Sequence, residues 1–81
     1  MKELNYIFII NPTAGHGRTN KAYDIIKDVI ANKNINSDFK FTSKAGQAEE
    51  FAKQAVADGF THIISVGGDG TSHEIVNGII G

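Results

Sequence analysis

Five consecutive residues, Gly67-Gly68-Asp69-Gly70-Thr71, combine a carboxylate, a hydroxyl and three positions without side chains. Glycines let a backbone approach phosphate oxygens closely. Asp69 is a hard oxygen ligand for Mg²⁺ or its water shell, and Thr71 adds a hydroxyl beside it. A hard cation next to bare amides suits a polyphosphate. The same residues also read as turn and cap chemistry: Thr71-x-x-Glu74 has capping-box spacing, and Asp69 is a common turn or N-cap residue. Two further glycine-bearing stretches, Asn11 to Gly17 and Thr42 to Gln47, each lie between an apolar run and a helical pattern. Helix N-termini offer unpaired amides and a positive dipole end to anions. Together these loops point to a phosphate-bearing ligand, foremost a nucleotide.

Familiar phosphate motifs are not met. Neither main loop supplies the G-x-x-x-x-G-K-[ST] of a Walker A site. Gly15-His16-Gly17-Arg18-Thr19-Asn20 opens like a dinucleotide fingerprint but has Asn at the third glycine, and Gly68-Asp69-Gly70-Thr71-Ser72-His73 fails in the same way. The remaining chemistry-bearing residues have plain readings. His62 opens a strand and reads as structural. His16 stands without ligands at metal spacing. Arg18, near Asp24, reads as a solvated surface cation. Lys44 either faces a phosphate or is simply solvated. Glu74 reads as the capping-box partner of Thr71, and its charge would make Mg²⁺ necessary if a phosphate shared that helix end. Phe39, Phe41, Phe51 and Phe60 read as packing residues, since none lies in a glycine loop.

The elements that must position these loops alternate in period. Leu4 to Ile10 is a nearly continuous apolar run, expected as a strand buried on both faces and ended by Asn11-Pro12. Ala22, Ile25, Ile26, Val29 and Ile30 follow helical spacing with Thr19 or Asn20 as cap. Asp38 to Thr42 alternates as a second strand, nearer an edge. Ala48, Phe51, Ala52, Ala55 and Val56 form a second helical stripe, with Gly59 placed to close it. Thr61 to Val66 is a third strand, and Ile75, Val76, Ile79 and Ile80 begin a third stripe. The order β-α-β-α-β-α predicts an α/β fold, a parallel sheet with helices on both faces. Ligands of such sheets sit outside the carboxyl ends of the strands.

At 81 residues, 41% of them hydrophobic and with a net charge of −1, the chain suits one small folded unit and not a disordered one. A pI near 6.2 argues against nucleic acid as a partner. The lack of Cys excludes disulfides and thiolate metal sites and is compatible with a reducing cytosol. No apolar run approaches the ~18 residues of a membrane span, and Met-Lys-Glu does not open a secretory signal. The narrow sheet predicts marginal stability, or self-association through open edges and apolar helix faces.

Three ordered motifs carry a resemblance. Asn11-Pro12-x-x-Gly15-x-Gly17, then Thr42-x-x-x-Gly46-x-Ala48, then Gly67-Gly68-Asp69-Gly70-Thr71-x-His73-Glu74-x-Val76-Asn77-Gly78 together resemble the diacylglycerol kinase catalytic domain family, which includes sphingosine and ceramide kinases. The glycine-aspartate loop alone is shared with NAD kinases; the Asn-Pro loop is the discriminator. The resemblance implies that residues 1–81 are the N-terminal part of a larger three-layer ATP-binding α/β domain. The rest of that domain and a C-terminal β-rich domain would lie elsewhere. It implies ATP bound by Asn11, Thr42, Gly67, Gly68, Asp69, Gly70 and Thr71, with Asp69 serving Mg²⁺ directly or through water. It further implies γ-phosphoryl transfer to a lipid hydroxyl such as that of diacylglycerol. It places no catalytic residue in this segment, which alone would be inactive, and it assigns no general base. A cytoplasmic location, with peripheral contact of the whole protein at the inner membrane face, follows from the same resemblance. An NAD kinase-type soluble kinase and a non-catalytic nucleotide-binding or assembly module remain the alternatives.

Overall fold

The computed structural model describes residues 4–13 and 18–80, with the backbone alone for residues 18–20. The elements are β1 (Tyr6–Ile10), α1 (Arg18–Lys33), β2 (Ser37–Phe41), α2 (Gln47–Asp58), β3 (His62–Val66) and α3 (Asp69–Ile80). They form a three-stranded sheet in the order β2-β1-β3, with both pairings parallel. The most apolar strand is therefore central, and Phe8 lies opposite Phe39 on one side and Ile64 on the other.

Side-chain alternation divides β1 between two layers. Ile7 and Ile9 enter a core with Ala48, Ala52 and Ala55 of α2 and Ile75 of α3, flanked by Phe51, Phe60 and Ile63. Phe8 points the other way and stacks on Phe39, against which Tyr23 of α1 packs edge-on. Helices thus cover both faces, as expected. The expected strand and helix order holds throughout.

Several boundaries and faces differ from expectation. β1 begins at Tyr6, not Leu4, because Asn5 is engaged outside the ladder: its carbonyl accepts the N–H groups of Thr61 and His62, each at 3.0 Å. β2 is displaced one residue toward the N-terminus, so Thr42 stands just past the strand. The backbone is already helical at Thr19 and Asn20, so neither is the cap of α1; the position before Arg18 lies outside the described residues. Gly59 closes α2 as expected, at φ 85°, with its N–H directed to the carbonyls of Ala55 and Val56.

The apolar stripes are only partly covered. Ile25 and Val29 remain 65% and 48% exposed. They line an open apolar cleft of about 270 Å³ with Tyr6, Phe8 and Ile64. Three strands present too few side chains on that face to cover α1. On α3, Ile75 and Gly78 are buried, while Val76, Ile79 and Ile80 are exposed. No described helix is long and apolar enough to cross a membrane.

Candidate functional site

The strand ends are held level by backbone bonds that continue the ladders. Asn11 N–H donates to the Val66 carbonyl at 2.9 Å, and Thr42 N–H donates to the Ile10 carbonyl at 2.8 Å. The loops after β1, β2 and β3 therefore leave the sheet side by side, where a crevice between them is the usual ligand position in a parallel sheet. A cleft of about 290 Å³ lies there, lined by Asn11 and Thr13 from the first loop. Thr42, Ser43, Lys44 and Ala45 line it from the second, and Gly70, Thr71 and Glu74 from α3.

Each wall has a local cause. Asn11 Oδ1 accepts the N–H of Thr13 at 3.1 Å and its hydroxyl at 2.8 Å, closing an Asx-type turn after the strand. Thr42 is 9% exposed and its hydroxyl donates to the Ile10 carbonyl at 3.3 Å, so its side chain is anchored at the base of the cleft. Gln47 Oε1 accepts both the N–H of Ser43 at 2.6 Å and its hydroxyl at 3.2 Å, folding the second loop on itself.

At the third loop, the Gly68 carbonyl accepts the N–H of Thr71 at 3.1 Å and of Ser72 at 3.3 Å. The helix is thus under way at Asp69, and the first amides of α3 have no partner within it. Gly67 is needed for packing: a Cβ there would lie 2.9 Å from Thr71 Oγ1 and 3.2 Å from Asn11 Cβ. That close approach brings the loops after β1 and β3 together.

Of the residues singled out from sequence, Asn11, Thr42, Gly70 and Thr71 meet around the cleft. Gly67, Gly68 and Asp69 are exposed at the adjoining turn and first helical residue, outside its lining. Lys44 stands on the cleft wall, exposed. Gly15, His16 and Gly17, and the side chain of Arg18, lie outside the described residues.

The capping box is not formed. Thr71 is inside the first turn and 7% exposed, and Glu74 Oε1 instead accepts the N–H of Gly46 at 3.1 Å, at the start of α2. Sequence reasoning also passed over Thr13, whose place two residues after Asn11 is a usable Asx-turn signal, and Ser43, whose partner Gln47 gives no comparable signal. His62 stacks on Tyr6 at 4.5 Å, at the opposite end of the sheet, in keeping with its structural reading.

An open parallel α/β unit with a polar cleft at its carboxyl edge is the class that this geometry defines. The sequence profile of the diacylglycerol kinase catalytic domain matches residues 5–81, and the chain belongs to that family. It is 35% identical to the diacylglycerol kinase of Bacillus subtilis over 79 residues, covering 98% of this chain and 25% of the relative. It is also 35% identical to sphingoid long-chain bases kinase 1 of Arabidopsis thaliana over 79 residues, covering 91% of this chain and 10% of the relative. Among solved structures, a "putative diacylglycerol kinase" from Bacillus anthracis superposes with a TM-score of 0.79 at 29% identity, over 96% of this chain and 28% of that one. The chain thus spans about a quarter or less of the length of these relatives. Residues 5–81 thus correspond to part of a diacylglycerol kinase catalytic domain.

Proposed function

We propose that this segment holds the ATP of a kinase that phosphorylates a lipid hydroxyl such as that of diacylglycerol. The carrying observation is the convergence of Asn11, Thr42, Gly70 and Thr71 on one cleft at the strand ends. ATP would lie along that cleft with its phosphates toward the Gly67–Thr71 turn, where the amides heading α3 favour negative charge.

The donor set fits Mg²⁺ of a particular kind. Among the described residues no group of three or more His, Cys, Asp or Glu side chains stands together, so these residues form no oxygen cage of their own. Mg²⁺ is commonly held by one or two carboxylates, water and substrate phosphates, and Asp69 is the carboxylate at the turn. When bound, the ion would neutralise charge developing on the transferred phosphoryl group. Asn11, braced by Thr13, and the buried Thr42 would orient the nucleotide. Lys44 would face its charge.

Two assays test this reading. Labelled ATP is offered to the whole protein with diacylglycerol, sphingosine or NAD as acceptor. Label in a lipid is the expected result, and label in NAD alone would contradict it. The 81-residue chain alone is expected to give no lipid phosphorylation, because it covers only 10–28% of the relatives named above; ATP-dependent phosphatidate formation by the purified chain would refute that. Self-association belongs to the same proposal, since Ile25, Val76 and Ile80 are each more than half exposed. Sedimentation of the 81-residue chain is expected to show species larger than the monomer at high concentration.

A further inference from the structure

We infer that Glu74 is a positioning residue that joins the loop after β2 to α3, so that both walls of the cleft move as one body. The inference rests on the nucleotide reading of the cleft only for its effect on affinity. α2 starts without a side-chain cap of its own: the residue ahead of it is Gly46, at φ 85° in the left-handed region, and no side chain at that position accepts a helix amide. Glu74 supplies an acceptor from another helix, 28 residues away in sequence, by taking the Gly46 N–H at 3.1 Å.

A carboxylate at a helix N-terminus is favoured by the helix dipole as well as by the hydrogen bond. One turn further along α3, Gly78 brings the helix into direct contact with the Glu49 carbonyl and Ala52. α2 is thus fastened to α3 at two successive points. Ser43 to Gln47 is closed on itself through the Gln47 side chain, and the Glu74 bond fastens this closed loop to α3. The spacing between Lys44 and Thr71 across the cleft is set through that bond.

Three substitutions separate reach from charge. Glu74→Ala removes the acceptor. Glu74→Asp keeps the charge but draws it back by one methylene. Glu74→Gln keeps an acceptor oxygen at full length without charge. The first readout is hydrogen exchange of the Gly46 amide in the nucleotide-free chain, followed by NMR. Exchange is expected to quicken about tenfold in Glu74→Ala and Glu74→Asp, the scale of losing a charged hydrogen bond, and to recover most of its protection in Glu74→Gln.

The second readout is the Kd for ATP with Mg²⁺, expected to weaken about tenfold in Glu74→Ala and to return to within about threefold in Glu74→Gln. Unchanged Gly46 exchange in both Glu74→Ala and Glu74→Asp would overturn the inference. So would Glu74→Gln that protects Gly46 yet binds as poorly as Glu74→Ala, since the carboxylate would then act on the ligand and not through the loop. Should the unsubstituted chain bind no nucleotide, the proposed function fails, and the Gly46 exchange alone still decides whether the link exists.

Discussion

Replacing Gly78 by alanine is expected to lower the melting temperature by roughly 10 °C, although alanine is the better helix former. A Cβ at Gly78 would fall 2.4 Å from the Glu49 carbonyl oxygen and 2.8 Å from Ala52 Cβ. The first of these is backbone, which cannot swing aside, so α2 and α3 must separate. Overpacking of a core contact costs about 1–3 kcal/mol, with direct backbone collision at the upper end or beyond. The gain in helix propensity returns about 1 kcal/mol. The net loss is about 2 kcal/mol, and about 4–8 °C accompanies each kcal/mol in a domain of this size.

Gly70 supplies the contrast on the same helix. A Cβ there meets nothing within 4 Å, and Gly70→Ala is expected to be stabilising by about 0.5–1 kcal/mol. Thermal melts of the two variants with opposite signs would confirm the packing argument; a Gly78→Ala protein as stable as the unsubstituted chain would defeat it.

Asp69→Asn is expected to weaken Mg²⁺-dependent ATP binding at least about tenfold, because the amide keeps the shape of the side chain but is a far poorer ligand for a hard cation. Asp69 is exposed in the first turn of α3, and exposed substitutions of this kind usually change stability by no more than about 0.5 kcal/mol. The melting temperature should therefore hardly move. Affinity measured without Mg²⁺ should not fall in the variant, since the carboxylate it loses would repel bare phosphates. Isothermal titration with and without the metal checks both points, and an unchanged metal-dependent affinity would remove Asp69 from the site.

What could be read from residue order alone was what depends on local pattern. β1 announced itself because four successive residues, Ile7 to Ile10, are all buried, and only a central strand accepts an unbroken apolar run. The alternation of Asp38, Phe39, Lys40 and Phe41 marked an edge strand, and Gly59 ended α2 by the left-handed turn that glycine permits. The three loops were placed at one end of the sheet by the β-α-β-α-β-α order itself, and their convergence on one cleft followed.

What was not legible depends on partners far away in the chain. Thr71-x-x-Glu74 satisfies a local capping rule, yet the carbonyl of Gly68 had already started the helix, and Glu74 was left to reach Gly46 across the inter-helix space. Gly78 in a helix reads as a cost until α2 is known to lie against it. The spacing of Ala22, Ile25, Ile26, Val29 and Ile30 marks one face of α1, but periodicity reports which residues share a face, not how wide the opposing surface is. Ile25 and Val29 exceed what this sheet offers.

The gripping of a nucleotide's phosphates by the Gly67–Thr71 turn is tested most directly by an NMR titration of the chain with ATP, once with Mg²⁺ and once with the metal chelated. The account predicts amide shifts concentrated at Gly67–Thr71, with lesser ones at Asn11–Thr13 and Thr42–Lys44, and their loss on chelation. Shifts that spare Gly67–Thr71, or that are the same without the metal, would contradict it.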